Sequence, residues 1–125
     1  MNDNLELNIP LIDEKHDEFL EILAKIKSSN KPEFLPLFKE MIEHTREHFA
    51  FEEELMDKYD FYAKGEHLEE HKNLLHEMEY FYEKAQKMPI FGHSYINDYA
   101  YDKFKRHIIN IDSQFAMFLK DKDLI

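Results

Sequence analysis

Residues 34–59 read FLPLFKEMIEHTREHFAFEEELMDKY, and the positions of their apolar side chains decide the fold. Phe34, Leu37, Phe38, Met41, Thr45, His48, Glu52, Leu55, Met56 and Tyr59 recur every three or four residues, the spacing of one face of an α-helix. The stretch predicts one helix ending at about Lys58, with Pro32 suited to its first turn and Pro36 still close enough to that start to be tolerated. His48 and Glu52 occupy the same stripe, one turn apart. A buried carboxylate is costly unless a hydrogen bond or a cation compensates, so this pair marks the stripe as more than core filling.

Three further segments carry the same pattern on either side. Upstream, a short extended arm containing Pro10 leads to a helix that Asp13 can cap, running to about Ser28 with Phe19, Leu20, Leu23 and Ile26 inward and His16 one turn before Leu20. Downstream, a loop around Asp60 to Gly65 precedes a helix bearing His67, His71, Leu74, Leu75, Met78, Phe81, Tyr82 and Ala85 on one face. Met88-Pro89-Ile90-Phe91-Gly92 reads as a break, and a fourth helix is expected from Tyr95 to Leu119 with Ala100, Phe104, His107, Ile111, Phe115 and Phe118 or Leu119 inside. The expected fold is all-α: an up-down-up-down antiparallel four-helix bundle occupying residues 1–125 as one domain.

Composition agrees and narrows the chemistry. The 125 residues include only 2 glycines and 4 prolines, which favours long helices over a turn-rich sheet protein. There is no cysteine, so disulfides, thiolate metal sites and cysteine nucleophiles are excluded. A net charge of −11 disfavours a nucleic-acid partner, whose phosphates require clustered Lys and Arg. No apolar run is long enough to cross a bilayer, and a soluble, cytoplasmic protein without a membrane partner is expected.

The chemistry lies in seven side chains, His16, His48, Glu52, His67, His71, His107 and Asp112, at least one per predicted helix and each on a core face. Imidazole suits Fe, Zn, Cu and Ni, and carboxylate can bridge two cations, so five imidazoles with two carboxylates suit a pair of iron-like ions. His48/Glu52 and His67/His71 stand four residues apart, close enough for both members to reach one metal centre. His107 and Asp112 are five apart and are expected to diverge around the helix, which suits a carboxylate reaching across to bridge.

In order, these residues stand in Ile12-Asp13-Glu14-Lys15-His16, His48-Phe49-Ala50-Phe51-Glu52-Glu53-Glu54-Leu55-Met56, His67-Leu68-Glu69-Glu70-His71 and His107-Ile108-Ile109-Asn110-Ile111-Asp112. The pattern resembles the hemerythrin family, specifically its single-domain bacterial members, and spans essentially the whole chain. The resemblance implies two Fe ions: His67, His71 and His107 would hold one, His16 and His48 the other, with Glu52, Asp112 and an oxo or hydroxo group bridging. It further implies reversible binding of O₂, or of another small diatomic or anion, at the open position of the second iron, without enzymatic turnover. The family's pocket positions map to Phe19, Phe49, Lys103, Phe104 and Ile108. Here the chain departs from its relatives, which commonly carry Trp-Leu where it has Lys103-Phe104, and the bulkier Phe104 is expected to narrow the gate.

Two other readings compete: a di-iron oxidase, peroxidase or ferroxidase, and an oxygen- or iron-sensing module acting through a separate protein partner. Ferritin-like oxidases use more carboxylates than this His-rich set provides. His44 extends the ladder of His48 and Glu52 but matches no motif position, and is expected near the surface or in an outer hydrogen-bond shell. His76 and His93 are expected in solvent, and Glu53, Glu54, Glu69 and Glu70 on a solvated acidic face. Asp13 either orients His16 or caps its helix.

Overall fold

A computed structural model of the chain describes residues 7 and 9–122, and most of the expected N-terminal arm falls outside them. The described residues are helical, in four long stretches. Helix α1 spans Pro10–Lys27, α2 Lys31–Lys58 and α3 Lys64–Lys87. The fourth helix is continuous but composite, running through Pro89–Ser94, Tyr95–Tyr99, Ala100–His107, Ile108–Asp112 and Ser113–Asp121, of which Tyr95–Tyr99 and Ile108–Asp112 are wide π turns.

The ends are set by local chemistry. Ile9, extended, precedes Pro10 at the first helical position, where a missing N–H costs nothing. Asp13 is therefore not the cap of α1. It lies inside the first turn, and its carboxylate reaches back to accept the N–H groups of Leu7 at 2.8 Å and Ile9 at 3.2 Å. A reciprocal box opens α2: Asn30 accepts the N–H of Glu33, and Glu33 accepts the N–H of Asn30, both at 3.1 Å. At its other end Asp60 adopts φ 54°, so Phe61 N–H reaches Met56 O and Asp60 N–H reaches Asp57 O, the paired bonds of a Schellman turn.

Only Met88 separates α3 from the fourth helix. Pro89 starts that helix and Gly92 lies inside it, six residues earlier than the expected start at Tyr95. The approach there is close: a Cβ on Gly92 would sit 2.6 Å from the Cβ of Ala85. Glycine is what lets the two helices touch at this end.

Packing closes the four helices into a bundle. α1 lies on α2, α2 on α3, α3 on the first segment of the fourth helix, and the first π turn of that helix returns to α1. Two apolar clusters fill the interior. The larger contains Phe19, Leu23, Ile26, Phe34, Phe38, Met41, Met78, Tyr95, Ile96 and Phe104, and the smaller contains Ile9, Ile12, Met56, Phe61, Phe115, Ala116 and Leu119. Among the described residues, the buried polar ones other than Thr45 are the seven singled out by the sequence, and they belong to neither cluster. No helix among the described residues is long and apolar enough to cross a membrane.

Candidate metal centre

All four helices deliver polar side chains to one place. α1 brings His16, α2 brings His48 and Glu52, α3 brings His67 and His71, and the fourth helix brings His107 and Asp112. Each is buried, and Glu52 and Asp112 are fully so. Their donor atoms form two overlapping groups whose members lie within 4.8 Å of one another: Glu52, His67, His71, His107 and Asp112 in one, His16, His48, Glu52 and Asp112 in the other. Both carboxylates belong to both groups.

The expected divergence of His107 and Asp112 is overturned. On a regular helix five residues leave two side chains about 140° apart. Ile108–Asp112 is a π turn, closed by a bond from Ser113 N–H to Ile108 O, and it absorbs the extra residue. Asp112 thus faces the same way as His107, with Oδ1 3.0 Å from His107 Nε2 and 3.0 Å from His67 Nε2. The same turn displaces Ile111, expected inside, to a half-buried position, while Ile108 and Asp112 are buried.

The approaches are close, yet few are hydrogen bonds. His16 Nε2 and Asp112 Oδ2 make one at 2.9 Å. His48 Nε2 and His71 Nε2 each lie 3.3 Å from Glu52 Oε1, but neither nitrogen has a hydrogen-bond partner, and neither oxygen of Glu52 has one. Such orphaned polar atoms are rare in protein interiors. Here they converge, so their lone pairs share a common target, and the donor set could hold metal ions.

Burial dominates the electrostatics of the cluster. Burial, reinforced by the Asp112 charge, raises the carboxyl of Glu52 well above the usual carboxylate range. Burial acts the same way on Asp112, but His107, His16 and His67 outweigh it and hold that carboxyl well below its ordinary value. Burial lowers His48 to about 3 and His71 to about 2, with neighbouring imidazoles adding to the effect. Both rings are therefore neutral at pH 7, the form that ligates a metal.

Beside the cluster is a cavity of about 20 Å³. Its walls include Phe19, His44, His48, Phe49, Lys103, Phe104 and His107. Phe104 stacks on Phe19 at 4.1 Å between ring centres and stands edge-on to His16 at 5.5 Å, while Phe49 lies flat against His71 at 3.7 Å. Of the five positions named as pocket residues, Ile108 alone is absent from the lining, though it is buried. Lys103 is half-exposed and pairs with Glu77 at 3.5 Å.

His44 is half-buried, 3.5 Å from Glu18, and belongs to neither donor group. His76 is exposed, and His93 is exposed while stacking on Phe34 at 4.0 Å. Glu53 departs from the expected solvated face: its Oε2 lies 3.0 Å from Nδ1 of His71, in hydrogen-bond contact. Helical phase places it about 100° from Glu52, and nothing in its spacing indicated that α3 would come within reach. Comparison of the chain with family models, with curated proteins and with solved structures finds no match.

Proposed function

We propose that this chain is a non-haem di-iron protein of the hemerythrin kind, an antiparallel up-down-up-down bundle that binds O₂ reversibly in the cytoplasm to carry, store or buffer it. The observation that carries the reading is the overlap of the two donor groups through both Glu52 and Asp112. Two groups sharing two carboxylates are what a pair of bridged ions requires, whereas a single zinc would use about four donors. The groups are also unequal, with three imidazoles in one and two in the other. The poorer group leaves more room for an exogenous ligand.

His67, His71 and His107 would hold one iron, His16 and His48 the other, with Glu52 and Asp112 between them. Ferrous ions held there would supply the electrons and the coordination position that O₂ needs. The protein contributes binding and exclusion. Phe19, Phe49 and Phe104 form the apolar wall beside His48 and His107, and a cavity of about 20 Å³ suits a diatomic molecule. Lys103, half-exposed and paired with Glu77, lines the cavity at a position where members of the hemerythrin family commonly carry an indole.

Anaerobic loading with Fe²⁺, metal analysis, and spectra taken before O₂, with O₂ and after its removal test the reading. Two irons per chain and a charge-transfer band that appears and then vanishes on removal are expected. Steady consumption of added Fe²⁺ would instead mark a ferroxidase. His107→Ala or Glu52→Ala should abolish the band and His76→Ala should keep it, and equal loss in all three would overturn the assignment.

A further inference from the structure

The five imidazoles of the cluster are not held alike. Nδ1 of His16, His48, His67 and His107 is buried without a hydrogen-bond partner, whereas Nδ1 of His71 meets Oε2 of Glu53 at 3.0 Å. An ionised carboxylate can only accept, so the proton must sit on Nδ1 of His71. That leaves the Nε2 lone pair pointing inward, 3.3 Å from Glu52 Oε1. Phe49, stacked at 3.7 Å with planes 4° apart, fixes the orientation of the same ring.

We propose that Glu53 is a positioning residue for one of the two ion positions, holding His71 in the Nδ1–H tautomer and making its Nε2 a stronger donor than the other imidazoles. The inference rests on the metal reading above and adds an asymmetry to it. His71 belongs only to the group with Glu52, His67, His107 and Asp112. An ion there gains from the carboxylate behind its ligand, because an acceptor on the far nitrogen orients the ring and raises its basicity. That position fills first and empties last.

The placement follows from the helices. Glu53 neighbours Glu52 on α2 but points toward α3, and its side chain is 36% exposed at a groove lined by Arg46, Lys72, His76 and Glu79. Glu53 belongs to neither apolar cluster, so its replacement removes no contact from them. A loss of function in such a variant can therefore be traced to the hydrogen bond.

The test uses the full chain, first free of metal. Nitrogen-15 NMR of the imidazoles should show His71 as the Nδ1–H tautomer in the wild type, shifted in Glu53→Leu, and restored in Glu53→Gln, whose amide oxygen still accepts. Titration with Co²⁺ should fill two positions in order, and Glu53→Leu should weaken the first by about 10–100-fold while leaving the second unchanged. Glu53→Gln should fall between.

An unshifted tautomer in Glu53→Leu, or equal weakening at both positions, would overturn the proposal. A wild type that binds no Co²⁺ would overturn both the metal reading and the predicted order of filling. The tautomer of the metal-free protein would still decide whether Glu53 positions the ring.

Discussion

The larger apolar cluster and the polar layer beside it are built from the same four helices, and they obey opposite rules. In the cluster, Phe38 lies between Phe34 and Tyr82, and Tyr95 stacks on Phe81 at 4.7 Å, so the burial of each ring is favourable on its own. In the polar layer, Glu52 is fully buried with both oxygens lacking a hydrogen-bond partner, and burial pushes two imidazoles to pKa values near 2 and 3. One region stabilises the fold unaided. The other is maintained against its own electrostatics, a cost that a ligand binding only the folded state would offset.

The largest effect expected is from breaking the phase that joins the two regions. One alanine inserted after Ile109 would turn Asp112, Phe115 and Leu119 by about 100° relative to His107. Metal uptake and cooperative unfolding should both be lost. Deleting Ile109 should convert the π turn to a regular turn and set His107 and Asp112 four apart, so metal analysis should still find bound ions. If insertion and deletion behave alike, the π turn does not have the role given to it.

Within the apolar cluster, Phe38→Ala should cost about 3–5 kcal/mol in denaturant unfolding, with and without metal. A penalty seen only in the loaded protein would break the contrast. The polar layer should instead respond to pH. His48 and His71 stay neutral in the fold while the unfolded rings bind protons below their ordinary 6.5, so metal-free stability falls as pH drops from that value. Each ring contributes about 1.4 kcal/mol per pH unit.

Glu52, whose folded carboxyl keeps its proton above the ordinary 4.5, contributes a slope of opposite sign. Metal-free stability should therefore fall between pH 6.5 and 4.5 less steeply than the two histidines alone would give, with Glu53, also raised, opposing them in the same sense as Glu52, readable from denaturant midpoints. A steeper slope on adding Co²⁺, as the ion displaces the proton of Glu52 and removes the opposing contribution, would sharpen the contrast. The smallest effect is expected inside the cluster, where the Tyr95 hydroxyl is buried without a partner. Tyr95→Phe removes that hydroxyl, and thermal melting should show a gain of up to about 1 kcal/mol.

Much of this was legible in the chain because it depends on local periodicity. The apolar stripe through Phe34, Phe38, Met41 and Met56 is buried as its spacing required, and the seven polar residues that interrupt such stripes are the ones the structure gathers. Helix boundaries were less legible. Met88-Pro89-Ile90-Phe91-Gly92 contains two residues that usually stop helices, yet Pro89 starts one, and Gly92 is there for the close contact with Ala85. Asp13 resembles a cap but folds back onto Leu7 and Ile9 instead.

By itself, then, the sequence determined which face of each helix turns inward, because a period of three to four residues is a property of the backbone alone. The tertiary structure decided how those faces are phased against one another. The π turn at Ile108–Asp112 wins over a regular helix because it serves two sides at once, turning Asp112 toward His107 and His67 while Phe115 and Leu119 still reach the smaller core. Glu53 meets His71 for the same kind of reason: its partner lies eighteen residues away on another helix, and only packing brings the two together.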